Sequence, residues 1–123
     1  MTEKRIILEM GTGNDLYGQD YTKAARRAVQ DALHHSSITL FAKLGIDHSE
    51  MRVEVTIGVQ QPEAVDCNRV AQDLPRGRAS VRAVKGGLDV ADAEEGTRHV
   101  SATAAVEAWL PDQAGKYKTS TPE

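Results

Sequence analysis

Alternating apolar segments, a helix-periodic segment between them, and a glycine-rich junction from first strand to first helix predict an α/β protein of the α+β two-layer type. The expected order is β-α-β-α-β-β, with a mixed four-stranded sheet covered by helices on one face. Residues 1–110 are expected to form a single domain and residues 111–123 a flexible tail, because Pro111–Glu123 is rich in Gly, Pro, Ser and Thr.

Arg5–Met10 reads as a buried strand, its Ile6-Ile7-Leu8 run bounded by charge on one side and Gly11-Thr12-Gly13 on the other. Asp20 is placed to cap the next helix, whose Ala25, Ala28, Val29, Ala32 and Leu33 recur at helical spacing. Ile38–Leu44 extends that helix or forms another helical turn before Gly45. From Arg52 to Val59 the chain alternates, with Val53, Val55, Ile57 and Val59 on one side and Arg52, Glu54, Thr56 and Gly58 on the other. Pro62 ends that strand, and Asp66 caps a short helix running through Val70 and Leu74 before Pro75.

Arg78–Val84 alternates again, setting Ala79, Val81 and Ala83 opposite Arg78, Ser80 and Arg82, until Gly86-Gly87 interrupts it. Arg98–Leu110 alternates longest, with Val100, Ala102, Ala104, Val106, Ala108 and Leu110 in one phase. Its alanines also suit a helix, but the period of two favours a strand. In register, the uncovered sheet face collects Arg52, Glu54, Thr56, Arg78, Ser80, Arg82, His99, Ser101, Thr103 and Glu107. A solvated face and a wet subunit interface are both open to such a surface.

Forty per cent apolar and 27% charged residues are ordinary globular values, and a net charge of −3 supplies no field for a nucleic-acid backbone or an anionic membrane. Neither is expected as a partner. Cys67 is the only cysteine, so an internal disulfide and a multi-thiolate zinc site are excluded, and the expected setting is the reducing cytoplasm. His34, His35, His48 and His99 lack metal-ligand spacing, so no metal and no cofactor is expected.

The chemistry-bearing feature is Gly11–Asp20. Backbone N–H groups between a strand and a helix N-terminus can hold an anion or oxyanion. Leu16 stands where a dinucleotide fingerprint needs its third glycine, and Gln19-Asp20 replaces the Lys-Ser/Thr of a phosphate-binding loop, so both nucleotide motifs fail. Three glycines, the carboxylates of Asp15 and Asp20, the Tyr17 phenol and the Lys23 amine remain, a set able to position and polarise a small polar ligand. The competing reading is a tight turn in which Asp20 caps the helix and Asp15 bonds to loop amides. Arg76, Arg78, Arg82 and Lys85 concentrate positive charge suited to an acidic group of a ligand, or to a solvated strand.

Gly11, Gly13, Asp15 and Gly18, followed by Gln19-Asp20-Tyr21-Thr22-Lys23-Ala24-Ala25-Arg26-Arg27-Ala28-Val29, resemble small bacterial conserved hypothetical proteins carrying a Gly-x-Gly-x-Asp-x-His-Gly signature. The likeness covers about Arg5 to Leu110 and takes in Gly86-Gly87-Leu88. Tyr17 departs from it, standing where the signature has histidine. More remotely, the strand order is similar to the trimeric fold of reactive-imine deaminases and of one class of chorismate mutase, and to the ring-opening amidohydrolases (cyanuric acid hydrolase and barbiturase). The Ser–Lys pairing of those amidohydrolases is not visible as a motif, although Ser80 lies near Lys85.

The resemblance implies a homo-oligomer, a trimer or a multiple of it, with ligand clefts between subunits. The expectation is a small-molecule enzyme, an amidohydrolase or imine-deaminase-like hydrolase acting on a cyclic amide, imine or related metabolite. Asp15, Tyr17 and Lys23 would carry the chemistry, with Gly11, Gly13, Gly18, Asp20, Arg82, Lys85, Gly86 and Gly87 binding ligand. The alternative is a non-catalytic metabolite-binding or structural oligomeric module.

Overall fold

The computed structural model describes residues 3–34, 51–74, 78–92, 94 and 96–111. Strand β1 (Glu3–Asp15) leads to helix α1 (Tyr21–His34); β2 (Arg52–Val59) is followed by a 3-10 turn at Pro62–Ala64 and helix α2 (Cys67–Ala71). Strands β3 (Arg78–Lys85), β4 (Leu88–Asp92) and β5 (Thr97–Pro111) complete the described chain. The reading at Ile38–Leu44, together with His35, His48, Arg76 and residues 112–123, lies outside the described residues.

The sheet runs β1-β5-β2-β3, with β4 pairing on β5 beyond the end of β2. Strands β2 and β3 run parallel, joined through α2; β1, β2 and β4 each pair antiparallel with β5. Among the described residues five strands replace the expected four, because Leu88–Asp92 forms a short strand of its own. The hairpin between β4 and β5 returns at Gly96, whose φ of +66° is a left-handed conformation that glycine adopts without penalty.

The alternations hold in register. Val53, Val55, Ile57 and Val59 on β2, and Val100, Ala102, Ala104, Val106, Ala108 and Leu110 on β5, are all buried against the helices. A helix over residues 98–110 would scatter those side chains around its axis, whereas a strand delivers every second one to the core. Their neighbours Arg52, Glu54, Thr56, His99, Ser101, Thr103 and Glu107 lie on the opposite face, which no described element covers.

Helix α1 buries Tyr21, Ala24, Ala25, Ala28, Val29 and Ala32. Small side chains bring its backbone onto β1, and Gly11 and Gly13 receive it. A Cβ on Gly11 would stand 2.4 Å from the Ala28 carbonyl oxygen, and one on Gly13 would stand 2.3 Å from the Ala28 amide nitrogen. This contact corrects the expectation for the glycine-rich segment: Gly11–Asp15 continue β1 opposite Val100–Ala104, and the loop proper is confined to residues 16–20. The predicted caps are present. Asp20 accepts from the Lys23 N–H at 3.1 Å and Asp66 from the Arg69 N–H at 3.1 Å. Helix α2 stops at Ala71, short of the expected Leu74.

Candidate functional site

Asp15 ends β1 with its side chain turned inward, and the residue is only 5% exposed. Its Oδ2 accepts the Asp20 N–H at 2.9 Å, and the Arg27 guanidinium lies 3.6 Å from Oδ1. A Cβ on Gly18 would approach Oδ2 to 2.5 Å, so any larger residue there must displace this carboxylate. Asp15 therefore ties the loop to the start of α1, a positioning role, and Asp20 caps the helix. Lys23 is exposed on the first turn of α1.

Folding the loop this way lifts Tyr17 out of the surface, 75% exposed, with Leu16 beside it. The Tyr17 ring meets the His99 imidazole edge-to-face, centroids 5.8 Å apart and planes at 88°. His99, on β5, bonds through Nδ1 to the Leu16 carbonyl, and its Nε2 faces Asp92 Oδ2 at 4.0 Å. Thr97 shares this face, opposite Asp92 in the β4–β5 register, and its buried hydroxyl oxygen has no hydrogen-bond partner among the described residues. A phenol, an imidazole and a carboxylate thus meet at one rim of the uncovered sheet face. Such groups can donate, accept and shuttle protons at an exposed edge.

The sequence reading reached Tyr17 but not its partners. His99 carries no spacing motif, and Asp92 joins it only through the β4–β5 hairpin. The available signal was Leu88-Asp89-Val90-Ala91-Asp92, a short mixed segment bounded by Gly86-Gly87 and Glu95-Gly96.

The other expected binding residues are dispersed. Arg82 lies on the uncovered face and donates to Thr56 Oγ1 at 3.0 Å. Thr56 pairs with Ala105, six residues along β5 from His99, so Arg82 is about 20 Å from the Tyr17 rim of its own chain. Lys85, three residues on in an alternating strand, belongs to the opposite face. Arg82 and Lys85 therefore do not converge within one protomer. Gly86 and Gly87 let the chain cross the end of β2. The Gly86 N–H donates to the Val59 carbonyl at 2.9 Å, and a Cβ on Gly87 would stand 2.3 Å from the Ser101 carbonyl oxygen. A shallow hollow of about 240 Å³ borders Gln30, Leu33 and His34 at the C-terminal end of α1, away from the Tyr17 rim. Among the described residues no group of three or more His, Cys, Asp or Glu could hold a metal ion.

A second cluster, on the helix side, was also absent from the sequence reading. The Tyr21 hydroxyl donates to Asp89 Oδ2, and the Arg98 guanidinium lies 3.6 Å from the same oxygen. Burial, reinforced by the hydrogen bond to Asp89, pushes the Tyr21 phenol above its ordinary value of 10.0. This cluster fastens the β4–β5 hairpin, and hence His99 and Asp92, to the first turn of α1.

The model of the conserved hypothetical protein family Lin0512_fam matches residues 5–108, which include most of β1 and β5 together with the loop and α1. The chain belongs to that family. A Lin0512_fam description names no activity. The crystal structure of an FtsZ-like protein of unknown function from Nostoc punctiforme PCC 73102 is similar over 91% of this chain and 99% of its own, at 35% identity and a TM-score of 0.78. No curated protein matches the chain. Among the described residues no helix of this Lin0512_fam member is long and apolar enough to cross a membrane.

Proposed function

We propose that the protein is the protomer of a homotrimer, or of a multiple of it, and that it binds and hydrolyses a small cyclic amide, imine or related metabolite at the Tyr17 rim, in a cleft completed by a neighbouring copy. The observation that carries this reading is the exposed phenol of Tyr17 against His99 at the edge of an otherwise uncovered sheet face. Exposed aromatic and ionisable groups held by a rigid sheet are the usual equipment of a small-molecule site.

The assembly has its own support. Leu8 at 47% exposure, Met10 at 61%, Val84 at 44%, Leu88 at 59% and Val90 at 50% all project from that one face, interspersed with Arg52, Glu54, Arg82 and Glu107. An apolar surface bearing both signs of charge suits burial against a like surface better than contact with a nucleic acid or a lipid headgroup layer. In the assembled cleft Tyr17 donates to the ligand, Asp15 holds the loop that carries it, and Lys23 or a neighbour's Arg82 or Lys85 engages an acidic group.

A non-catalytic binding or structural module is the second reading, favoured by one observation: Gly11, Gly13, Asp15 and Gly18 each have a packing role that needs no ligand. A thermal-shift screen of cyclic amides, imines and their acids, run on wild type, Tyr17→Phe and Lys23→Ala, separates the possibilities. The proposal expects stabilising ligands whose effect drops in Tyr17→Phe. Ligands that stabilise all three proteins equally contradict the site, and binding without consumption of the ligand favours the module.

A further inference from the structure

We infer that His99 is the proton acceptor of the Tyr17 rim, held ready by the backbone of the loop; this rests on the small-molecule reading above. A carbonyl oxygen only accepts, so the bond between Nδ1 and the Leu16 carbonyl requires that Nδ1 carry the hydrogen. In the neutral imidazole the other nitrogen then has no hydrogen and presents a lone pair. That nitrogen, Nε2, is turned toward β4, where the Asp92 carboxylate stands 4.0 Å off.

The surroundings hold the ring in this pose. Tyr17 packs against it at 88°, His99 lies in the regular pairing of β5 with Val90 of β4, and Arg98, the next residue along, is engaged on the other face with Asp89. Among the described residues Tyr17 from the loop and Asp92 from β4 face His99; Asp92 Oδ1 also accepts the Glu94 N–H at 3.0 Å. The imidazole side chain is 27% exposed, enough for a water or a ligand to reach it. A distance of 4.0 Å is too long for a direct hydrogen bond and leaves room for a bridging group.

The ligand class follows from an acceptor nitrogen beside a phenol: a small molecule with a polarised amide carbonyl carbon, attacked by water. The water gives a proton to Nε2 while its oxygen bonds to that carbon. The carbon–nitrogen bond then breaks, and the proton on Nε2 passes to the departing nitrogen. Asp92 supplies the negative charge that faces the imidazolium between these two transfers. No oxidant, reductant or metal enters the balance.

Long-range proton–nitrogen correlation spectra of the ¹⁵N-labelled full chain, above the titration range of histidine, read the tautomer directly. The inference expects His99 with hydrogen on Nδ1 and not on Nε2, and expects diethyl pyrocarbonate to acylate His99 at Nε2, located by peptide mapping. A dominant Nε2–H form, or a His99 that resists acylation while the protein's other histidines react, overturns it. With hydrolysis of a cyclic amide as readout, His99→Gln should lower kcat on the order of 100-fold or more with a smaller change in KM. A rise in KM with kcat unchanged also overturns it. A wild-type protein that hydrolyses no such substrate refutes the enzymatic reading instead, and the tautomer and acylation results separate that failure from this one.

Discussion

Gly18 lies so close to Asp15 that a Cβ on it would sit 2.5 Å from the Asp15 carboxylate oxygen, the oxygen that already accepts the Asp20 N–H. The loop therefore closes over a buried acid, and the exposure of Tyr17 one residue earlier is a consequence of that closure. Gly18→Ala should shift the carboxylate, destabilise the protein by about 1–3 kcal/mol, and weaken the Tyr17–His99 contact. Urea denaturation reads the first effect, and the ring-current shifts of His99 read the second.

Asp15→Ala removes the acceptor of the Asp20 N–H and one partner of Arg27, which also donates to the Asn14 carbonyl. A loss of about 1.5–3 kcal/mol is expected. Asp15→Asn keeps an acceptor oxygen and should lose less. If Asp15 instead acts chemically, Asp15→Asn would abolish ligand turnover while leaving the denaturation midpoint unchanged.

At the contact of helix and sheet, Gly13→Ala drives a methyl group into the Ala28 amide, where backbone has no room to yield. About 1–3 kcal/mol or more should be lost, beyond any effect of glycine on the unfolded chain, whose sign is opposite. Thermal unfolding of Gly13→Ala and of the solvent-facing neighbour Thr12→Ala makes the comparison.

Tyr21 links pH to stability. Its phenol is held above the ordinary 10.0 in the folded chain, first by burial and then by its bond to Asp89, so the unfolded chain loses this proton first. The contribution is complete below pH 10 and is lost as pH rises from there through the folded value. The difference in stability between wild type and Tyr21→Phe should therefore shrink above pH 10. A difference independent of pH would contradict the assignment.

Much of this architecture is legible in the sequence because single-face burial imposes a period of two. Val53 to Val59 and Val100 to Leu110 announce their strands, and Asp20 and Asp66 announce their helix starts. Where reading failed, backbone contacts rather than side-chain patterns decide the structure. Gly11 and Gly13 look like a turn because glycine commonly serves turns; here they are strand residues, emptied of side chain so that α1 can lie against them. β4 escaped notice because a five-residue strand exposed at Leu88 and Val90 has no buried stripe. The site was half visible for the same reason. Tyr17 stands out beside glycines, but His99 and Asp92 are brought to it by hairpin register, which no local pattern encodes.

Whether the Tyr17 rim turns over a small molecule is read from turnover on matched variants. A panel of cyclic amides and imines is assayed for hydrolysis with wild type, Tyr17→Phe and Lys23→Ala, each first shown by sedimentation to have the same oligomeric state. Wild type should consume a substrate that Tyr17→Phe consumes at least about tenfold more slowly, with folding stability changed by less than about 0.5 kcal/mol. Equal rates in wild type and Tyr17→Phe, or a monomeric wild-type protein with full activity, would contradict it.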